Sequence, residues 1–179
     1  MTEMIKRRAH TLGALALLLL ALVAPIGAVR ADRDDARKLL VPAGNRVDSW
    51  AYAEGVQIYR WNGATWAFVA PEAVLYSGDD EDDVVVGIHY VGPTWESTSG
   101  SKVVGAVVDR WTPDPDAIPW LLLKATSSEG PGVFHQVTYI QRLFTVGGLA
   151  PADPGDFVGE EVRVPYSAWY VFYKEARPR

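Results

Sequence analysis

Val162-Arg163-Val164-Pro165-Tyr166-Ser167-Ala168-Trp169-Tyr170-Val171-Phe172-Tyr173 is the stretch on which the fold turns. Val162, Val164, Tyr166, Ala168, Tyr170 and Phe172 share one parity, while Arg163, Ser167, Trp169 and Tyr173 share the other. In an extended chain successive side chains point to opposite faces, so this alternation predicts a strand with one buried face. No stretch after residue 46 shows sustained apolar spacing at i, i+3, i+4 and i+7, the signature of a packed helix.

Upstream, β-prone runs recur with turn signals between them. Asn62-Gly63 separates Val56–Trp61 from Thr65–Ala70, and Asn-Gly between two such runs is a strong hairpin signal. Val84–Val91 ends at Gly92-Pro93, and Lys102–Trp111 follows the turn at Ser99-Gly100. Ile118–Ala125 is almost wholly apolar and reads as a strand buried on both faces. Val133–Val146 is rich in β-branched and aromatic residues. Short strands punctuated in this way make an all-β protein, an antiparallel β-sandwich or a closed barrel of about eight strands. The 179-residue chain is the size of one domain, placed at residues 55–179, with residues 32–54 expected as a charged N-terminal arm.

The first residues have the layout of a secretory signal peptide. Lys6, Arg7 and Arg8 precede an apolar run from Leu12 to Ala24, then Pro25 and Gly27, with cleavage expected after Ala31. That run falls short of the roughly 20 apolar residues that span a bilayer, so export rather than a stable membrane span is expected. Removing residues 1–31 takes away four bases and one acid, leaving 13 basic and 21 acidic residues and a net charge of −8. Such a surface argues against nucleic acid and against anionic membranes, both of which recruit Lys and Arg. The chain has no cysteine, so it folds by burial alone, with seven Trp, eight Tyr and five Phe to do it.

Several residues could carry chemistry. His89 and Glu96 flank the Gly92-Pro93 turn and could meet there, with His135 as a third metal ligand, in a metal-assisted hydrolase. Ser101 with His89 and Glu96 would be a far weaker nucleophilic set, because no nucleophile-elbow motif surrounds the serine. The acidic turn Asp79–Asp83 lacks the alternating spacing of an EF-hand and reads as a solvated turn. Tyr90, Trp95 and Trp169 are candidate aromatic contacts for a ligand. Arg142, in mid-strand, either pairs with an acid such as Glu72 or Glu96 or points into a pocket, where it would bind a carboxylate or phosphate. The expected function is a non-catalytic envelope or extracellular module binding a small or saccharide-like ligand near His89, Tyr90 and Trp95. No cofactor is expected. The alternatives are the hydrolase and a structural or adhesion protein.

Several blocks in order carry a family resemblance. They are Gly55-Val56-Gln57-Ile58-Tyr59, His89-Tyr90-Val91-Gly92-Pro93-Thr94-Trp95-Glu96, Ile118-Pro119-Trp120-Leu121-Leu122-Leu123, Gly147-Gly148-Leu149-Ala150-Pro151 and Val164-Pro165-Tyr166-Ser167-Ala168. Together they resemble the secreted bacterial and fungal proteins grouped as domain of unknown function 3455, from about Gly55 to Tyr173. The resemblance implies export and one compact domain, and no activity. It also implies two cysteines, after the Gln-Ile-Tyr block and after the Gly-Gly-x-Ala-Pro block. Trp61 and Gly155 stand in those places here, which suggests a disulfide replaced by packing.

Overall fold

A computed structural model of the protein describes residues 34–78 and 84–176. The signal-peptide segment and the acidic turn at Asp79–Asp83 lie outside the described residues. Eight strands follow one another: β1 (Asn45–Trp61), β2 (Trp66–Tyr76), β3 (Val85–Tyr90), β4 (Thr94–Ser97), β5 (Lys102–Trp111), β6 (Trp120–Glu129), β7 (Val137–Gly147) and β8 (Glu161–Glu175). Each pairs antiparallel with the next, and β8 pairs back along the length of β1, so one sheet closes in a ring. Of the two architectures expected, the closed one forms. Closure removes the unpaired edges that a sandwich leaves exposed.

β8 alternates as the sequence predicts. Tyr166, Ala168, Tyr170 and Phe172 are buried inside the ring, and Arg163, Ser167, Trp169 and Tyr173 face outward. The hairpin register carries this inside/outside parity around the sheet. Ala51, Ala53 and Gly55 lie opposite Tyr170, Ala168 and Tyr166. At Gly55 a Cβ would stand 2.0 Å from the backbone oxygen of Glu72, so only glycine lets β2 approach β1 there. Inside the ring, the core is packed at the end holding the β4–β5 and β6–β7 turns. There Phe134, from the turn before β7, lies with its ring centroid 4.5 Å from that of Phe172, beside Leu75, Val103 and Val137.

Two features differ from the sequence reading. β1 starts at Asn45, so residues 45–54 belong to the sheet and not to an arm; they find their partners on β8, more than 100 residues away. The preceding segment is also tied down: residues 34–37 form one helical turn, Leu39 is buried, and its carbonyl accepts a hydrogen bond from Gln141 Nε2 (2.6 Å). Gln141 and Asp109 flank Leu122 on the neighbouring strands; Asp35 raises the Lys38 pKa through their hydrogen bond, and Asp109 adds slightly to that rise. β6 is apolar on both faces: Leu123 fills the interior, while Leu122, on the opposite parity, is also buried and is paired with Gln141, the residue that holds the Leu39 carbonyl.

The Trp61–Gly155 contact is close. A Cβ at Gly155 would lie 2.6 Å from Trp61 Cγ and 2.8 Å from Trp61 Cβ, so the indole occupies the space of a second side chain. Gly155 is not among the residues with left-handed backbone, so its backbone suits a side chain once the indole is gone and the Glu160 carboxylate, 2.9 Å from that Cβ, swings aside. The double variant Trp61→Cys/Gly155→Cys is expected to form a disulfide, with a shift of about 1 Å to reach the usual Cβ separation. Closing a loop of this length, the oxidised variant should exceed its own reduced form by about 2–4 kcal/mol in urea denaturation. Thiols that stay titratable under oxidising conditions would count against the close approach.

Candidate functional site

The end opposite the packed one, where the β1–β2, β3–β4, β5–β6 and β7–β8 connections lie, is not filled. A cavity of about 370 Å³ runs inward from it, within the range of small-molecule sites. Phe68 and Val107, 54% and 42% exposed, stand at its rim together with Arg110. His89 and Trp95, 4% and 1% exposed, lie at its inner end. The walls are mainly apolar, from Ile118, Leu121, Leu123 and Pro93.

Local sequence places each polar group. The β3–β4 hairpin pairs His89 with Trp95 on the inward face, where the rings stack with centroids 4.3 Å apart and planes 13° from parallel. Gly105 leaves room for the indole, since a Cβ there would be 3.2 Å from Trp95 Cζ3. His89 Nδ1 lies 2.8 Å from the carbonyl of Thr94, which can only accept, so Nδ1 carries the hydrogen and Nε2 the lone pair. Burial pushes His89 down to about 3, and the nearby Arg142 adds to this against the opposing pull of the Thr94 carbonyl. The ring is therefore neutral at pH 7.

Arg142 faces inward from β7, opposite Tyr170 on β8 and Leu121 on β6. Its Nε and Nη2 donate to the Pro119 carbonyl at 3.1 and 2.8 Å. Neither acid considered as its partner reaches it. Glu72 is bound by Arg163, and Glu96 accepts from Tyr90 and pairs with Lys102 at 3.6 Å. Among the described residues Arg142 enters no ion pair, and no carboxylate lines the cavity. Two further lining residues carry buried donors without a hydrogen bond, Gln57 at Nε2 and Trp95 at Nε1. Tyr170 adds a phenol to the lining, next to Tyr166. Tyr166 and Tyr170 stand hydroxyl to hydroxyl at 3.4 Å, and burial raises both pKa values, so both are neutral phenols.

The structure brings His89, Trp95 and Arg142 together and separates the other candidates from them. Glu96 pairs with Ile88, one residue out of phase with the His89–Trp95 pair, so Glu96 and His89 lie on opposite faces of the sheet. Tyr90 is also outside, where its hydroxyl donates to Glu96 at 2.7 Å; this bond, with Lys102, holds Glu96 below the ordinary carboxylate range. Trp169 faces outward and packs on Tyr52 at 5.4 Å. His135 sits in the exposed turn before β7, at the packed end. The metal set of His89, Glu96 and His135 is thus not assembled, and no group of three metal-binding side chains occurs among the described residues. Ser101 is fully buried, bonded to Ser97 Oγ at 2.8 Å and accepting from the Phe134 backbone at 3.1 Å, so it anchors the Phe134 turn and joins no triad. Gln57 was not legible as a site residue; the only signal was a polar side chain at an inward position of β1.

No match was found among curated proteins or among solved structures. No helix among the described residues is long and apolar enough to cross a membrane. A family model described as protein of unknown function, DUF3455, matches residues 42–174, which take in all eight strands but for the last residue of β8, and the chain belongs to that family.

Proposed function

We propose that this is a non-catalytic binding protein, exported by its N-terminal segment, which holds a small ligand inside the ring. One observation carries the reading: the sheet closes around a cavity of about 370 Å³ that is packed at one end and reaches exposed residues at the other. Closed eight-stranded sheets have interiors that either fill with side chains or hold one small ligand. The site moves inward from the outer hairpin loop first expected: Tyr90 and Glu96 bind each other outside, whereas Trp95 and His89 form the floor. The apolar walls favour a ligand with a hydrophobic body over a saccharide, whose hydroxyls would each need a partner. Support for a non-catalytic role is chemical. His89 gives its one hydrogen to a backbone carbonyl and stays neutral, and among the described residues no serine, threonine or carboxylate lines the cavity beside it.

The neutral probe N-phenyl-1-naphthylamine tests this. Its emission is expected to rise saturably at one site per chain. Val107→Trp, at the exposed rim, is expected to abolish that rise without changing the melting temperature. A probe signal that never saturates, or that Val107→Trp leaves unchanged, would refute interior binding.

A further inference from the structure

We propose that the ligand is a monocarboxylate with an apolar body, its carboxylate anchored by Arg142 and by the side-chain N–H groups of Gln57 and Trp95. This rests on the interior-binding reading and names the chemistry of its ligand. Three independent features of the cavity point the same way. First, Arg142 is a permanent cation inside the ring with no acidic partner among the described residues. Arg142 is part-buried against apolar walls, and a cation there gains from a counter-charge, so the site is complementary to an anion. Second, on Gln57 and Trp95, 2% and 1% exposed, Nε2 and Nε1 have no hydrogen-bond partner of good geometry among the described residues, although the Gln57 amide interacts with the Tyr166 hydroxyl closely enough to pull against the rise of its pKa. Buried donors are normally satisfied, and two orphans lining one cavity beside a lone guanidinium call for a ligand that brings acceptor oxygens. Third, the whole chain is acidic, with 22 acids to 17 bases, yet among the described residues the cavity is lined by two arginines and no acid.

The number of charges selects among anions. Among the described residues only Arg142 carries a positive charge inside, because Arg110 stands at the exposed rim and His89 is neutral. One cation with two neutral donors balances a single negative charge. A phosphate dianion would be left half-compensated against walls of Leu121, Leu123 and Ile118. A planar carboxylate has two oxygens to share among the guanidinium, the amide and the indole N–H. Arg110 at the mouth adds an attractive field along the entry path.

Octanoate and octan-1-ol, equal in chain length and differing in the head group, are the probes. They are titrated calorimetrically at pH 7.5 and by displacement of N-phenyl-1-naphthylamine. Octanoate is expected to bind about tenfold or more tightly than octanol. Arg142→Met, which keeps the apolar stem and removes the charge, should weaken octanoate about tenfold or more and leave octanol unchanged. Arg142→Met also gives up the bonds to the Pro119 carbonyl. Gln57→Leu is therefore the second variant: it leaves Arg142 and its bonds to the Pro119 carbonyl in place, and should weaken octanoate severalfold while leaving octanol unchanged. Equal affinity for acid and alcohol, octanoate binding indifferent to both substitutions, or failure of octanoate to displace a saturably bound probe would each overturn the carboxylate anchor while leaving interior binding in place. Failure of the neutral probe itself to bind would remove the interior-binding reading beneath it.

Discussion

Trp95→Ala is expected to cost about 3–5 kcal/mol of folding free energy, a large fraction of the roughly 5–15 kcal/mol that holds a domain together. Trp95 is 1% exposed and touches three other rings. It stacks on His89 and meets Tyr170 and Phe172 edge-on, with centroids 5.3 and 6.2 Å away. Truncation loses the transfer energy of the indole and leaves a void beside Gly105, which has no side chain of its own to fill it. Trp169→Ala is the control. Trp169 lies on the outer face with one aromatic neighbour, Tyr52, and its loss should cost about 1 kcal/mol. Urea denaturation separates the two: a large midpoint shift at constant m-value for Trp95→Ala and a small one for Trp169→Ala. Similar small costs for both would mean that Trp95 is not part of the core.

The contrast between these tryptophans shows what the sequence could express. In β8, twelve alternating residues made the parity plain, and the burial of Tyr166, Ala168, Tyr170 and Phe172 follows it. β4 has four residues, too few for a period to be recognised, so Trp95 read as a loop aromatic although it faces inward with Ser97. The same brevity hid the separation of His89 from Glu96. They lie seven residues apart across a tight hairpin, and only the register shows that they fall on opposite faces. Arg142 was legible as a charge in mid-strand with two possible fates. Which fate applies depends on Arg163 and Lys102 taking the competing acids, and those contacts come from register and not from local pattern. Architecture was legible because turns and alternation are local. The cavity was not, because an interior void is a property of how eight strands close and where the bulky side chains fall short.

Acid should weaken the fold through His89. Its folded-state pKa is about 3 against about 6.5 for an exposed imidazole, because burial disfavours the cation and Arg142 repels it. Above pH 6.5 neither state binds the proton, and the stability is fully present. Below that, the unfolded chain takes up a proton that the native ring refuses, so stability falls by up to about 1.4 kcal/mol per pH unit until the native ring also titrates near 3. The full loss is about 4–5 kcal/mol, of which about 2 kcal/mol is spent by pH 5, above the range where Glu72 and Glu96, both held low by hydrogen bonds, begin to contribute. His89→Gln isolates this contribution, since its amide can donate to the Thr94 carbonyl and cannot titrate. Urea midpoints between pH 7 and pH 5 should slope downward in the wild-type protein and run nearly flat in the variant. Parallel slopes would mean that the imidazole takes up its proton in place, and the apolar, unpaired surroundings of Arg142 would have to be reconsidered with it. A flat variant would instead establish that the ring interior rejects a second positive charge, the same property that makes the lone guanidinium a receptor for a single negative one.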